Sequence, residues 1–230
     1  MGLHLGLIMD GNRRFAKKLM LEPWKGHDYG AKKLEEVLRW CKDEDVEKLT
    51  IYTLSMQNLN RPKHELDYLM NIIRDIFKKS QEKESTIQEL GLKVEFIGRR
   101  DLLPQDVQDI FGELEKKTKN NTTYTIRFCV AYGGREEMVD AVHLLAKDIK
   151  EGKIQPEQVD EDLIDSYVYM KDQPDLIIRT GGDHRTSNFL IWQSAYSEWL
   201  FYDKTWPELT QEDIQNAIDD FQGRERRFGR

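Results

Sequence analysis

The stretch LHLGLIMDGNRR, residues 3–14, decides the fold. Its mostly apolar first part predicts a short buried strand, Leu3–Met9. The strand runs into Asp10 and Gly11, and two arginines follow. Ligands of open parallel sheets bind beyond the carboxyl ends of the strands, so this junction is a candidate anion site. A plain Asp-Gly turn after a strand explains the same residues, and this stretch alone leaves both interpretations open.

The rest of the chain repeats the pattern of short apolar runs between helical segments. Further strands are predicted at residues 49–54, 92–97, 124–131 and 176–178, with shorter candidates at Phe189–Trp192 and Trp199–Tyr202. Helices are predicted at Tyr29–Lys42, Pro62–Glu89, Pro104–Lys119, Gly134–Glu151, Glu161–Ser166 and Gln211–Arg226. Near-continuous apolar strands separated by helices predict an α/β fold, a parallel sheet covered on both faces. Without a linker-like stretch, residues 1–230 are expected to form a single domain.

The composition excludes several classes of function. Hydrophobic residues make up 39% of the chain and charged residues 33%, which is typical of a soluble globular protein. The formal net charge of −7 gives no general attraction for nucleic acid, so an anionic ligand needs a local cluster of Arg and Lys. No apolar stretch reaches the length of a membrane span, and the chain is expected to be cytoplasmic.

The spacing of the cysteines and histidines indicates neither a zinc site nor a disulfide. Cys41 and Cys129 lie far apart, in a predicted helix and a predicted strand, and are expected to be core thiols in a reducing compartment. The five histidines show no paired metal-ligand spacing.

Three further segments at or near predicted strands, and the basic tail of the chain, carry polar residues. Residues 178–187, IRTGGDHRTS, offer Arg179, Arg185 and the hydroxyl of Ser187 as phosphate donors, although a structural Gly-Gly turn is the alternative. Arg61 binds phosphate or caps local structure. Glu198 is either a second metal carboxylate or a solvated residue. The basic tail, residues 224–230, is either solvated or part of the site.

Together these blocks resemble the cis-prenyltransferase family, and most closely its bacterial undecaprenyl diphosphate synthase branch. The resemblance rests on residues 8–17, 26–27, 58, 60–62, 132–135, 178–182 and 224–229, which occur in this order. It covers essentially the whole chain.

The resemblance implies a role for each matching residue. Asp10 and Asn58 would be catalytic, and Asp10 with Glu198 would hold the Mg²⁺ cofactor. The allylic substrate would be bound by Gly11, Asn12, Arg13, Arg14, Phe15, His27, Ser55 and Arg61. Isopentenyl diphosphate would be bound by Arg179, Arg185, Ser187, Arg227 and Gly229.

The family's reaction sets the expected function. The enzyme would add isopentenyl diphosphate units in cis to an allylic diphosphate, expected to be farnesyl diphosphate. The product would be undecaprenyl diphosphate, a lipid-carrier precursor for cell-wall glycans. The resemblance further implies a homodimer, a hydrophobic tunnel, and a product that partitions to the membrane, with the enzyme cytoplasmic or peripheral at its inner surface. The apolar stripe Leu66–Phe77 is the candidate tunnel wall, although core packing alone would also explain it.

Some positions depart from the family pattern. Phe15 replaces a usual Trp, Pro23 stands where Arg is frequent, and Gln57 and Leu59 replace Glu and Trp. These departures concern substrate orientation and closure of a loop.

Two other functions would account for parts of this sequence. A non-catalytic partner subunit would lack the carboxylate of Asp10, and an α/β phosphotransferase would be expected to carry a nucleotide phosphate loop, which this chain does not contain.

Overall fold

The structure is a computed structural model, and it describes residues 2–224. Six parallel strands form its sheet in the order β3-β4-β2-β1-β5-β6. Their bounds are β1 Leu3–Ile8, β2 Val46–Tyr52, β3 Lys93–Ile97, β4 Thr125–Cys129, β5 Leu176–Arg179 and β6 Glu198–Phe201. The predicted α/β fold with a parallel sheet is therefore confirmed.

Helices connect the strands and flank the sheet. They are α1 Asn12–Lys18, α2 Gly26–Asp43, α3 Lys63–Lys79, α4 Thr86–Glu89, α5 Gln105–Thr118, α6 Gly134–Lys150, α7 Glu161–Asp165 and α8 Gln211–Gln222. Within residues 2–224, none of the helices is long and apolar enough to cross a bilayer.

The first strand lies in the middle of the sheet. Leu7 of β1 pairs with Ile51 of β2 on one side and with Ile178 of β5 on the other, and all three side chains are buried. Because parallel strands end at the same edge, this pairing brings the carboxyl ends of β1 and β5 together. Residues that follow these two strands therefore become neighbours.

The segment predicted as one helix, Pro62–Glu89, is two helices, so that prediction is wrong. The apolar spacing that supports α3 stops at Phe77, and a polar stretch follows before Ile87. Ser85 then caps α4, because its hydroxyl accepts a hydrogen bond from the backbone N–H of Gln88. At the carboxyl end of the chain, α8 also stops earlier than predicted, at Gln222.

The candidate strand Phe189–Trp192 is also wrong. Asn188 and Leu190 have positive φ values of 65° and 45°, which a strand does not allow. Phe189 and Leu190 are nonetheless fully buried, in a cluster with Tyr132. These two side chains are buried by a tight loop while Ile191 is exposed, so the run needs no strand partner.

Both cysteines are confirmed as core residues. Cys41 and Cys129 are free and fully buried. Burial raises the pKa of the Cys41 thiol to about 12 and that of Cys129 well above its usual value. Both thiols therefore stay protonated and act as small apolar side chains.

His4, in β1, is expected to make the protein sensitive to acid. It is 4% exposed, its Nε2 lies 2.8 Å from the hydroxyl of Thr50, and its Nδ1 has no partner. Burial, followed by the charges of Arg127 and Lys48, lowers its pKa from 6.5 to about 4. Between these values the unfolded chain binds a proton that the folded chain does not, so the free energy of unfolding falls as the pH falls.

Replacing His4 with Gln should weaken this dependence on pH. The difference between the pKa values of His4 in the unfolded and folded chain lowers the free energy of unfolding by about 2 kcal/mol at pH 5. We expect urea unfolding at pH 7 and pH 5 to detect this change. His143→Gln is the matched control, because His143 is exposed on α6. Equal loss of stability between the two pH values in H4Q and wild type would contradict the prediction.

Candidate active site

The carboxylate of Asp10 lies at the end of β1, between two arginines. Its Oδ1 accepts a hydrogen bond from the backbone N–H of Gly11 at 2.6 Å and lies 3.3 Å from Nη2 of Arg14. Its Oδ2 accepts a hydrogen bond from Nη2 of Arg179 at 2.8 Å. Gly11 has a φ of 100°, and a Cβ there would come within 2.7 Å of Thr205. The turn therefore requires glycine for its conformation as well as for space.

The surroundings of Asp10 keep it ionised. Burial alone would raise its pKa. Hydrogen bonds from Arg179 and Gly11, and the charges of Arg179 and Arg14, outweigh burial and lower the pKa below its usual value. A carboxylate that stays ionised beside guanidinium groups can bind a cation together with a bound anion.

Helix α1 carries the other residues of the first block. Arg13 donates to Glu65 at 3.4 Å, Arg14 donates to Asp183 at 3.3 Å, and both guanidinium groups remain about half exposed. The side chain of Asn12 donates to the carbonyl of Met9 at 3.1 Å. The two arginines are thus held by weak ion pairs that an incoming anion can replace.

Phe15 lies on the same helix, but it does not line the main cavity. Its ring packs edge-to-face against Tyr29, with centroids 5.2 Å apart. In the free protein Phe15 therefore packs α1 against α2. Its assignment to the allylic substrate stays a prediction.

A short turn after β2 brings a third group of predicted residues to the site. Ser55 and Asn58 cap each other: the hydroxyl of Ser55 accepts from the N–H of Asn58 at 3.2 Å, and Oδ1 of Asn58 accepts from the N–H of Ser55 at 3.1 Å. The turn leads to Arg61, whose Nη1 lies 3.4 Å from Nε2 of His27.

His27 is neutral at physiological pH. Burial, followed by the charges of Arg61 and Arg13, lowers its pKa from 6.5 to about 4. A neutral ring can still donate one hydrogen bond, because one of its two nitrogens carries a proton. His27 can therefore contribute a hydrogen bond to an anion, while Arg13 and Arg61 contribute the positive charge.

Arg179 is the buried centre of the second cradle. It is 3% exposed, and its Nη1 donates to the hydroxyl of Ser187 at 2.7 Å and to the carbonyl of Arg185. Gly181 and Gly182 both have positive φ values, and their N–H groups donate to carbonyls in the segment that follows β6. The side chain of Arg185 itself is 63% exposed and pairs with Asp183.

Most of these residues line one cavity of about 630 Å³. Its polar end is formed by Asp10, Gly11, Asn12, Arg13, Arg14, His27, Ser55, Asn58, Arg61, Arg179 and Ser187. Its opposite end is apolar and is formed by Leu34, Leu69, Ile72, Ile73, Ile76, Phe77 and Phe128. The cavity therefore offers a cluster of donors for anions beside a site for hydrocarbon.

A second cavity of about 610 Å³ adjoins the apolar end. The two cavities share apolar lining residues from α2, α3 and β4: Ala31, Leu34, Ile72, Ile76, Phe77 and Phe128. Charged residues such as Lys32, Glu35 and Glu84 form much of the remaining wall of the second cavity, so the hydrophobic tunnel stays a prediction. The stripe on α3 takes part in both arrangements, since Phe77 lines the two cavities and also packs against Phe96 and Phe111 in the core.

Glu198 is not brought to Asp10 within the chain. It begins β6, pairs with Leu176 in the sheet, and forms an ion pair with Arg224 at 2.9 Å. In the sheet register it is level with Leu5, five residues before Asp10, or about 16 Å along the strand. The two carboxylates of one chain therefore cannot share a metal ion. Arg227 and Gly229 lie outside the described residues.

The donor set fits a magnesium ion held mainly by substrate. No group of three His, Cys, Asp or Glu side chains that could hold a metal occurs in residues 2–224. Magnesium commonly binds through one or two carboxylates together with substrate phosphates, and it keeps several waters. The single carboxylate of Asp10 beside a phosphate cradle matches that arrangement.

Sequence reasoning missed two residues that support the site. The backbone N–H of Trp206 donates to the carbonyl of Asp10 at 2.9 Å, and its indole N–H donates to the carbonyl of Gly30 at 2.9 Å. The hydroxyl of Thr180 also donates to the carbonyl of Asp10, at 2.8 Å. Thr180 lies inside the second arginine block and could have been found there. No local signal marks Trp206, because its partners lie far away in the sequence.

Comparison with known proteins decides the family. The family model described as "Putative undecaprenyl diphosphate synthase" matches residues 8–229. The chain belongs to the cis-prenyltransferase family. The predicted family and the predicted class of enzyme, a prenyltransferase, are thereby confirmed.

Similar cis-prenyltransferases occur in archaea. An enzyme of Methanopyrus kandleri is 50% identical over 229 residues, 99% of this chain and 84% of the relative. One of Thermococcus kodakarensis is 44% identical over 229 residues, 99% of this chain and 86% of the relative. Both are named tritrans,polycis-undecaprenyl-diphosphate synthase (geranylgeranyl-diphosphate specific).

Solved structures of cis-prenyltransferases share the fold. Lavandulyl diphosphate synthase from Lavandula x intermedia, in complex with dimethylallyl diphosphate, has a TM-score of 0.93 at 31% identity, covering 99% of this chain and 98% of that one. A probable undecaprenyl diphosphate synthase of Campylobacter jejuni has a TM-score of 0.82 at 27% identity, covering 100% and 99%.

Proposed function

We propose that this cis-prenyltransferase extends geranylgeranyl diphosphate with isopentenyl diphosphate, in cis, to a product of undecaprenyl diphosphate length. One observation carries the proposal: a cavity whose polar end holds Asp10 among arginines has an opposite end, a channel for hydrocarbon, that is lined by apolar residues of α2, α3 and β4. A prenyl diphosphate has the same two parts, a dense anion and a hydrocarbon chain. Each added unit favours burial in the channel, at about 25 cal/mol per Å² of apolar surface.

Two arginine clusters fit two diphosphates. Arg13, Arg14 and Arg61 lie on the allylic side, and Arg179 and Arg185 lie on the isopentenyl side. Two such anions in one cleft would repel each other, so both clusters are needed at the same time. Holding the two substrates side by side also removes much of the entropic cost of their encounter.

The proposed reaction breaks the bond between C1 and oxygen of the allylic diphosphate. C1 joins C4 of isopentenyl diphosphate, and diphosphate and a proton leave. Arg13, Arg14, Arg61 and the neutral His27 stabilise the negative charge that grows on the leaving diphosphate. Arg179 orients the second diphosphate and keeps Asp10 ionised. Magnesium bound beside Asp10 would neutralise further phosphate charge.

The choice of starter follows the relatives and replaces the expectation of farnesyl diphosphate. The names of both archaeal relatives specify geranylgeranyl diphosphate. We expect purified protein with isopentenyl diphosphate and Mg²⁺ to use geranylgeranyl diphosphate at least about tenfold better than farnesyl diphosphate, as one added apolar unit in a fitted pocket allows. Initial rates for each starter, with product lengths by mass spectrometry and a chelator control, test this.

The outcomes of that experiment are distinct. A chelator-sensitive ladder from either starter supports chain elongation, and the ratio of initial rates decides the starter. Preference for farnesyl diphosphate would reject the proposed starter but keep the reaction. No product from either starter, with folded protein, would reject the function.

The proposal includes a homodimer built from single-domain chains of residues 1–230. Since Glu198 cannot reach Asp10 of its own chain, its metal role requires the carboxylate to come from a second copy. We propose a cytoplasmic enzyme whose product passes to the membrane and there serves glycan synthesis as a lipid carrier. Light scattering of the purified protein tests the dimer, and a fully active monomer would reject the shared-metal role of Glu198.

A further inference from the structure

The loop that ends the second cradle has an unfavourable backbone. Ser187 and Asn188 have φ values of 51° and 65°, in the left-handed region. Residues other than glycine rarely adopt this conformation, because Cβ comes too close to the following carbonyl oxygen, although Asn tolerates it better than most. Two such residues in succession need outside contacts that hold them in place.

Asn188 supplies the strongest polar contacts of this loop. Helix α6 begins after Gly133, which has no side chain to cap it. The carbonyl of Asn188 accepts from the N–H of Gly134 at 2.8 Å, and its Oδ1 accepts from the N–H of Arg135 at 2.8 Å. Its Nδ2 donates to Oε2 of Glu136 at 2.8 Å. Asn188 therefore caps α6 from more than 50 residues away in the sequence.

The capped loop places Ser187 beside Arg179. The hydroxyl of Ser187 accepts a hydrogen bond from Nη1 of Arg179 at 2.7 Å, and its carbonyl accepts one from the hydroxyl of Tyr52 at 3.3 Å. Phe189, on the other side of Asn188, is buried and stacks on Tyr52 at 4.8 Å. The position of Ser187 is thus fixed by its neighbours, and Asn188 is the one that ties it to a long helix.

We propose that Asn188 is a positioning residue for isopentenyl diphosphate. It acts through the capped end of α6, which holds Ser187 and Arg179 in the geometry that receives the diphosphate. This inference rests on the proposed function, because it assigns the second cradle to isopentenyl diphosphate. Asn188 also lines the cavity, so the swapped pair described below separates positioning from direct contact with the substrate.

The first test replaces Asn188 with Ala. Wild-type turnover with geranylgeranyl diphosphate and isopentenyl diphosphate is measured first, so that a failure of the proposed function is seen separately. In N188A we expect the KM for isopentenyl diphosphate to rise about tenfold, the size of one lost hydrogen bond to a loop that binds an anion. The KM for the allylic diphosphate should change less than about twofold. Equal changes in both KM values, or no change, would overturn the proposal.

A swapped pair tests the contact itself. Asn188→Asp keeps an acceptor for the N–H of Arg135 but places a carboxylate against Glu136. Adding Glu136→Gln reverses the direction of the hydrogen bond between the two side chains, because the Gln amide can donate to the new carboxylate. We expect N188D alone to raise the KM for isopentenyl diphosphate, and N188D with E136Q to restore it to within about threefold of wild type. No recovery in the double variant would overturn the proposal, and the double variant also guards against a misfolded N188A.

Asp45→Ala is the matched control. Asp45 is exposed, has a φ of 51°, and lies between α2 and β2. Ala at this position meets the same backbone strain without contact with the loop. We expect D45A to lower the melting temperature while leaving both KM values unchanged. A rise in the KM for isopentenyl diphosphate in D45A equal to that in N188A would show that lost stability explains the effect, and would overturn the proposal.

Discussion

Replacing Asp10 with Asn is expected to lower kcat by about 10³-fold while the protein stays folded. The change removes one negative charge and leaves the shape of the side chain nearly the same. An Asn carbonyl can still accept a hydrogen bond from Arg179 or Gly11, so the buried guanidinium keeps a partner. What is lost is the carboxylate that would hold magnesium beside the diphosphates. Initial rates with saturating substrates, and thermal unfolding of the same samples, measure the two effects.

Asp183→Asn is the matched control for Asp10. Asp183 is also a carboxylate among arginines, accepting from Arg14 at 3.3 Å and from Arg185 at 2.8 Å. It does not line the cavity. We expect D183N to change kcat less than about tenfold, since partly exposed ion pairs contribute little. Similar losses in both variants would mean that general charge balance, and not metal binding by Asp10, explains the effect.

Replacing Arg179 with Lys is expected to lower kcat/KM for isopentenyl diphosphate by about 10²-fold or more. The guanidinium of Arg179 contacts Asp10 through Nη2 and Ser187 through Nη1, and a single ammonium group cannot reproduce both contacts. The positive charge remains, so an effect of this size would come from lost geometry. The KM for isopentenyl diphosphate should rise more than the KM for the allylic substrate.

The same variant should shift the pH profile. Arg179 is the first of the groups that lower the pKa of Asp10 against the opposing effect of burial. Weakening its hydrogen bond raises that pKa, so the ionised carboxylate is lost at a higher pH as the solution becomes acidic. We expect the acidic limb of kcat/KM to move to higher pH in R179K. Arg185→Lys is the control, because Arg185 is 63% exposed, and an equal shift there would contradict the role given to Arg179.

Much of the site could be predicted because it lies where short apolar strands end. The runs before Asp10 and around Arg179 are both buried and nearly free of polar residues, so both could be recognised as buried strands of a parallel sheet. A parallel sheet then brings their carboxyl ends to one edge, where the polar blocks meet. The family resemblance supplied the chemistry, and the geometry placed most of the assigned residues around one cavity.

The remaining features depend on contacts that no local pattern encodes. Trp206 supports Asp10 and Gly30, and Asn188 caps a helix that begins 54 residues earlier. Phe189–Trp192 has the apolar composition of a strand, but the left-handed backbone at Leu190 and the burial of Phe189 and Leu190 follow from tertiary packing. Glu198 matches a family motif, yet its place in β6 separates it from Asp10 of the same chain.

The central position of β1 has a consequence for how the enzyme is made. Asp10 is synthesised early, but its partner Arg179 lies 169 residues later. Contacts between such distant residues slow folding, because the long intervening chain must lose much of its freedom before they form. A ribosome-bound nascent chain would therefore hold β1 with one exposed edge until β5 emerges. The carboxylate of Asp10 acquires its arginine only when most of the polypeptide has been synthesised, and until then the open edge of β1 favours aggregation.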